Sequence, residues 1–152
     1  MLFGKRKRIV KRILIVEDEP LTAFDNEIML GDAGYEVVAT IDNFDEAIAL
    51  INRDKIDLIL SDVRLKGERT GLDLAKAAAN RGVPILFVTG HQLDEGAALH
   101  AIGCLMKPYN ERSLKGALEC VEQVLGGQDA KPPKGMTLYS PADPNTPPPD
   151  GS

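Results

Sequence analysis

Short apolar runs recur along this chain between longer stretches of helical period, and that alternation constrains the fold more than any other feature. The runs are RILIVE (12–17), YEVVAT (35–40), DLILSD (57–62), PILFVT (84–89) and CLMK (104–107). They are of strand length, and their near-continuous apolar character suits strands buried on both faces. The stretches 20–33, 44–53, 71–81, 94–102 and 111–125 read as helices. Phe24, Ile28 and Leu30 are expected inward on the first, and Ala47, Ile48 and Ile51 on the second. Leu114, Leu118, Val121 and Leu125 line one stripe of the last. Gly34, Gly82 and Gly103 each follow a helical stretch, as a helix C-terminus favours. Strand and helix in strict alternation predict an α/β fold with a parallel sheet covered on both faces.

Ligands of such sheets bind outside the carboxyl ends of the strands, so the residues at those ends matter most. They are Glu17 and Asp18, then Asp62, then Thr89, then Lys107 followed by Pro108. Three clustered carboxylates repel one another unless a cation joins them. An all-oxygen donor set selects a hard ion such as Mg²⁺. With Mg²⁺ held by Asp18 and Asp62, the free oxygen of Asp62 becomes a nucleophile toward a phosphoryl group. Lys107 supplies a second cation, and the Thr89 hydroxyl can bond a phosphoryl oxygen. Each piece also has a plain structural reading: a helix cap before Pro20, a loop-capping Asp62, a good β-former at Thr89, a Lys-Pro turn. Their joint arrival at successive strand ends favours the chemical one.

These segments, ILIVEDEP, LILSDVRL, ILFVTG and LMKPY, make residues 12–126 resemble a bacterial response-regulator receiver domain. The resemblance implies a flavodoxin-like (βα)5 fold with a five-stranded parallel sheet of order 2-1-3-4-5. It implies phosphorylation of Asp62 by a sensor histidine kinase or histidine phosphotransfer protein, in a Mg²⁺-dependent phosphorelay. Asp18 and Asp62 would ligate the metal, with the backbone carbonyl of Arg64, and Glu17 would act through water. Lys107 is expected to precede a cis Pro108. Arg64 and His91, two residues beyond Asp62 and Thr89, would tune the lifetime of the phosphoryl group. A downstream protein partner would dock on the last two helices and the fifth strand.

The chain departs from the family pattern in places. Cys104 stands where receivers usually carry a Tyr or Phe. FVTG (87–90) is similar to the Phe-x-Thr-Gly (FATGUY) subgroup, although Gln92 stands where that subgroup has Tyr. The loop LKGERTG is one residue longer than usual, with Lys66 in place of a frequent Pro.

Composition bounds the remainder. The 152 residues suffice for one domain, with a hydrophobic content of 43%. Residues 1–11 form a basic arm within an overall net charge of −5. The acidic body argues against nucleic acid as a partner. Residues 127–152, rich in proline, predict a disordered or extended tail, in which MTLY (136–139) could dock on the body or a partner. No second folded module is expected after residue 126. Cys104 and Cys120 lie among apolar neighbours and read as buried thiols, which favours a reducing compartment. No membrane insertion and no signal peptide are expected, so the predicted location is cytoplasmic. The expected role is a non-enzymatic, stand-alone phosphoacceptor that acts through protein contacts or as a phosphate shuttle or sink. The alternative is an interaction scaffold of the same fold that works without phosphorylation.

Overall fold

The computed structural model describes residues 8–90, 93 and 100–139. The elements run β1 (Arg12–Val16), α1 (Pro20–Asp32), β2 (Glu36–Ile41), α2 (Phe44–Arg53), β3 (Leu58–Asp62), α3 (Gly71–Asn80), β4 (Ile85–Thr89), β5 (Gly103–Met106), α4 (Glu111–Leu125) and β6 (Met136–Leu138). The sheet order is β2-β1-β3-β4-β5-β6, parallel through β5. The flavodoxin-like order 2-1-3-4-5 is therefore present. Most of the predicted helix 94–102 lies outside the described residues.

The sixth strand is new relative to the five-strand expectation. Part of the proline-rich segment returns and pairs antiparallel with β5, Leu105 opposite Met136 and Gly103 opposite Leu138. A run of three residues carries no readable periodicity, and its pairing is purely tertiary.

Two apolar layers flank the sheet. On one face Ile13, Ile15, Leu60, Val88 and Leu105 pack with Leu30 of α1 and with Leu114, Leu118 and Val121 of α4. On the other, Leu14, Ile59, Ile85 and Phe87 pack with Leu50 and Ile51 of α2 and with Leu74 and Ala78 of α3. Alternation along each strand thus feeds both layers.

The expected phase of α1 needs correction. Its buried residues are Ala23, Asn26 and Leu30, whereas Phe24 and Ile28 are 59% and 46% exposed. Positions 23, 26 and 30 form one helical stripe, and the larger side chains at 24 and 28 lie one step round from it. Leu125, expected inward on α4, is likewise exposed at its last residue.

Local chemistry fixes the helix starts. Glu19 accepts from Leu21 N ahead of Pro20, Asn43 from Glu46 N, and Asn110 from Ser113 N. Thr70 and Asp73 form a reciprocal capping box at α3. Among the described residues no helix is long and apolar enough to cross a membrane.

Candidate functional site

The order of the sheet places the site. The strands stay parallel, but successive strands are added on opposite sides of β1, β2 on one side and β3 on the other, so a crevice opens between the carboxyl ends of β1 and β3. Val16 lies opposite Ser61, Asp62 opposite Val88, and Thr89 opposite Met106. Glu17, Asp18, Asp62, Thr89 and Lys107 are therefore carried to one edge, as the strand-end reading expects.

Their side chains meet there. The Lys107 Nζ donates to Glu17 Oε1 at 2.9 Å and to Asp62 Oδ2 at 3.2 Å. Oxygen atoms of Glu17, Asp18 and Asp62 lie within 4.8 Å of one another. Glu17 is buried, Asp62 half-buried and Asp18 exposed, so the cluster grades from core to solvent. The Lys107 amide donates to the Thr89 carbonyl at 2.7 Å, locking the end of β5 to the end of β4. The Lys107–Pro108 peptide is cis. A cleft of about 380 Å³ opens beside Asp62, lined by Arg64, Thr89, Gly90, Leu93 and Lys107.

Electrostatics follow from burial. At Glu17 desolvation raises the carboxyl pKa and outweighs the opposing hydrogen bond from Lys107. At Lys107 burial lowers the ammonium pKa, but the bond and charge of Glu17, with the charge of Asp62, more than compensate, and the net shift is upward. One ammonium among three carboxylates leaves the cluster with excess negative charge, and its donors are oxygen only. That donor set fits Mg²⁺.

Arg64 is exposed; its backbone amide donates to Asp62 Oδ1 at 3.2 Å. His91 lies outside the described residues. Lys66, in the long loop, pairs with Asp42 at 3.0 Å, and its amide donates to the Asp42 carbonyl. The loop after β3 is thereby tied to the loop after β2.

Two contacts near the site were not legible in the sequence. The Tyr109 hydroxyl donates to Asn26 Oδ1 at 2.6 Å, joining the Lys107–Pro108 turn to α1. Burial, before all else, pushes Tyr109 up to about 12. The signal that could have found Asn26 is its place on the Ala23–Leu30 stripe: a polar residue in a buried phase needs a partner. The second is Cys104, buried as expected, whose thiol is hydrogen-bonded to Tyr139 just after β6. Cys120 is also buried and free.

Comparison with known proteins is consistent. The response regulator receiver domain family matches residues 13–119. Protein PilH of Pseudomonas aeruginosa is 31% identical over 123 residues, covering 76% of this chain and 98% of that one. The transcriptional regulatory protein PdtaR of Mycobacterium tuberculosis is 32% identical over 116 residues, covering 73% of this chain. The match spans only 56% of PdtaR, so this chain corresponds to about half the length of such relatives. Among solved structures, the chemotaxis response regulator CheY4 of Vibrio cholerae has a TM-score of 0.65 at 32% identity, covering 72% of this chain and 97% of that one.

Proposed function

This chain belongs to the response regulator receiver domain family, and from that premise we propose that it is a phosphoacceptor signalling protein whose acceptor is Asp62. The observation that carries the reading is the contact of Lys107 Nζ with both Glu17 and Asp62, beside the Asp18 carboxylate. The phosphodonor is a sensor histidine kinase or a histidine phosphotransfer protein. An Asp62 oxygen attacks the phosphorus of a phosphohistidine; the new O–P bond forms as the P–N bond breaks, and the electron pair leaves on the imidazole nitrogen. Lys107 pairs with a phosphoryl oxygen and offsets its charge, and the Thr89 hydroxyl donates to another. Arg64 and His91 tune how long the acyl phosphate lasts before water hydrolyses it.

Asp18, Asp62 and the Arg64 carbonyl would hold Mg²⁺, with Glu17 reached through water. The ion supplies charge neutralisation for the incoming phosphoryl oxygens. Output passes through protein contacts or through transfer of the phosphoryl group itself. A second reading, a scaffold that needs no phosphorylation, is favoured by Cys104 alone.

The two separate cleanly. Full-length protein incubated with Mg²⁺ and acetyl phosphate should gain one phosphoryl mass, and Asp62→Asn should gain none. An adduct that survives in Asp62→Asn, or no adduct in either protein, leaves the scaffold.

A further inference from the structure

The edge of β5 is not open: the chain's own segment 133–139 lies on it. Met106 N donates to the Gly135 carbonyl at 2.9 Å, and Tyr139 N to the Ile102 carbonyl at 3.0 Å, so the segment is hydrogen-bonded at both ends of the strand. Met136 is buried in the layer of Leu105 and Leu118. Tyr139 packs into the opposite layer, against Cys104. Pro133 sits over Gly116 of α4, 3.5 Å from where a Cβ would stand.

The receiving surface is shaped for a strand. A Cβ on Gly103 would lie 2.6 Å from the Thr137 carbonyl oxygen, while its next neighbours stand at 3.5 and 3.6 Å. Only the approaching backbone requires glycine there. Yet the strand itself is slight. It has three residues, it is the sheet's one antiparallel member, and it follows a connection with positive φ at Gly127 and Gly135. Of its three residues only Met136 is buried, so it belongs to the low-stability end of the fold.

It also adjoins the carboxylate site. Met106 bonds Gly135, the residue before β6, and the next residue, Lys107, bonds Glu17 and Asp62. Lys107 is thus the residue through which a change of charge at Asp62 reaches the Met106–Gly135 hydrogen bond. Linkage of this kind is reciprocal.

We propose that β6 is an autoinhibitory strand: it fills in cis the edge of β5 that a partner's extended segment fills in trans, and loading of Asp62 loosens it. The partner segment would place an apolar residue three positions before a Tyr, as Met136 and Tyr139 do, and would bind by strand addition. The linkage to Asp62 rests on the phosphoacceptor reading above; occupancy of the edge does not.

A labelled peptide AKPPKGMTLY, residues 130–139, tests both parts on full-length protein. Met136→Asp should release the chain's own strand and bind the peptide about tenfold or more tightly than wild type, because a tethered competitor has been removed. Adding Gly103→Ala should abolish that gain. A folded Met136→Asp protein, verified by its thermal transition, that binds no better than wild type overturns the proposal. So does a gain that Gly103→Ala leaves intact. Wild type loaded with Mg²⁺ and beryllofluoride should also gain affinity. If an Asp62-dependent adduct forms and the affinity is unchanged, the linkage is wrong. If no adduct forms, the phosphoacceptor reading fails and the linkage with it, while Met136→Asp still decides the role of β6.

Discussion

Lys107 answers to two carboxylates at once, and its removal should reveal what it does for each. Glu17 has a side chain only 1% exposed, and Lys107 is its cationic partner at 2.9 Å. Lys107→Met leaves Glu17 and Asp62 facing each other with no cation between them. At neutral pH the loss should be about 1–3 kcal/mol, less than for a fully buried pair because the ammonium is partly solvated. The sign of the pH dependence follows from Glu17, whose pKa is already raised by burial. A raised carboxyl favours the folded state below its unfolded pKa and loses that contribution as pH rises through its folded value. The variant should therefore approach wild type near the ordinary carboxyl pKa of about 4 and fall furthest behind at neutral pH. Urea unfolding of both proteins across that range measures the difference. A deficit independent of pH would mean that Lys107 acts through packing alone.

At the scale of elements, two glycines in helices make opposite demands. Gly71 opens α3 against the end of β3; a Cβ there would stand 2.5 Å from the Asp62 carbonyl oxygen and 2.8 Å from Val63 Cα. Gly31, in the last turn of α1, has nothing within 4 Å of the same atom. Gly71→Ala should cost about 1–3 kcal/mol by forcing backbone apart. It should also slow loading of Asp62, since the clash falls on that residue's own carbonyl. Gly31→Ala should gain roughly 0.5 kcal/mol from helix propensity. Thermal unfolding and phosphoryl loading of the two variants check both statements. The five parallel strands were legible, because apolar runs bounded by Asp, Gly and Pro leave little choice of element, while their order in the sheet followed from the family resemblance. The phase of α1 was not, since Phe24 and Ile28 outweigh Ala23 and Asn26 in any count of hydrophobicity while the fold buries the smaller pair. Asn26 accepts from Tyr109, and a partner 83 residues away can be sought only once the buried stripe of α1 is known.

For the whole molecule, the same principle separates what strand ends reveal from what tertiary contact decides. Asp57, which opens the third apolar run, accepts from the amides of Lys11 and Arg12, each at 2.9 Å, and so fastens the start of β1 to the start of β3. Glu122 on α4 accepts from Ile9 and Val10, and Arg8 lies 4.4 Å over the Tyr35 ring. These ties draw the amino ends of the strands together, which leaves the carboxyl edge free to hold opposed charge. The cost of that edge is a cluster of three acids whose repulsion the fold bears, and relief of the repulsion should appear as global stability. Mg²⁺ at about 100 times its dissociation constant should add about 2.7 kcal/mol by mass action. For a chain of this size each kcal/mol corresponds to a rise of about 2–4 °C. Asp62→Asn should raise the metal-free transition, because one repelling charge is gone, and should abolish most of the Mg²⁺-dependent rise. Screening by salt also weakens repulsion, so thermal scans belong in NaCl and MgCl₂ at matched ionic strength. If NaCl gives the same rise, the cluster is merely screened and holds no ion. If only MgCl₂ gives it, and Asp62→Asn loses it, the three carboxylates act as one divalent site whose filling stabilises the entire sheet.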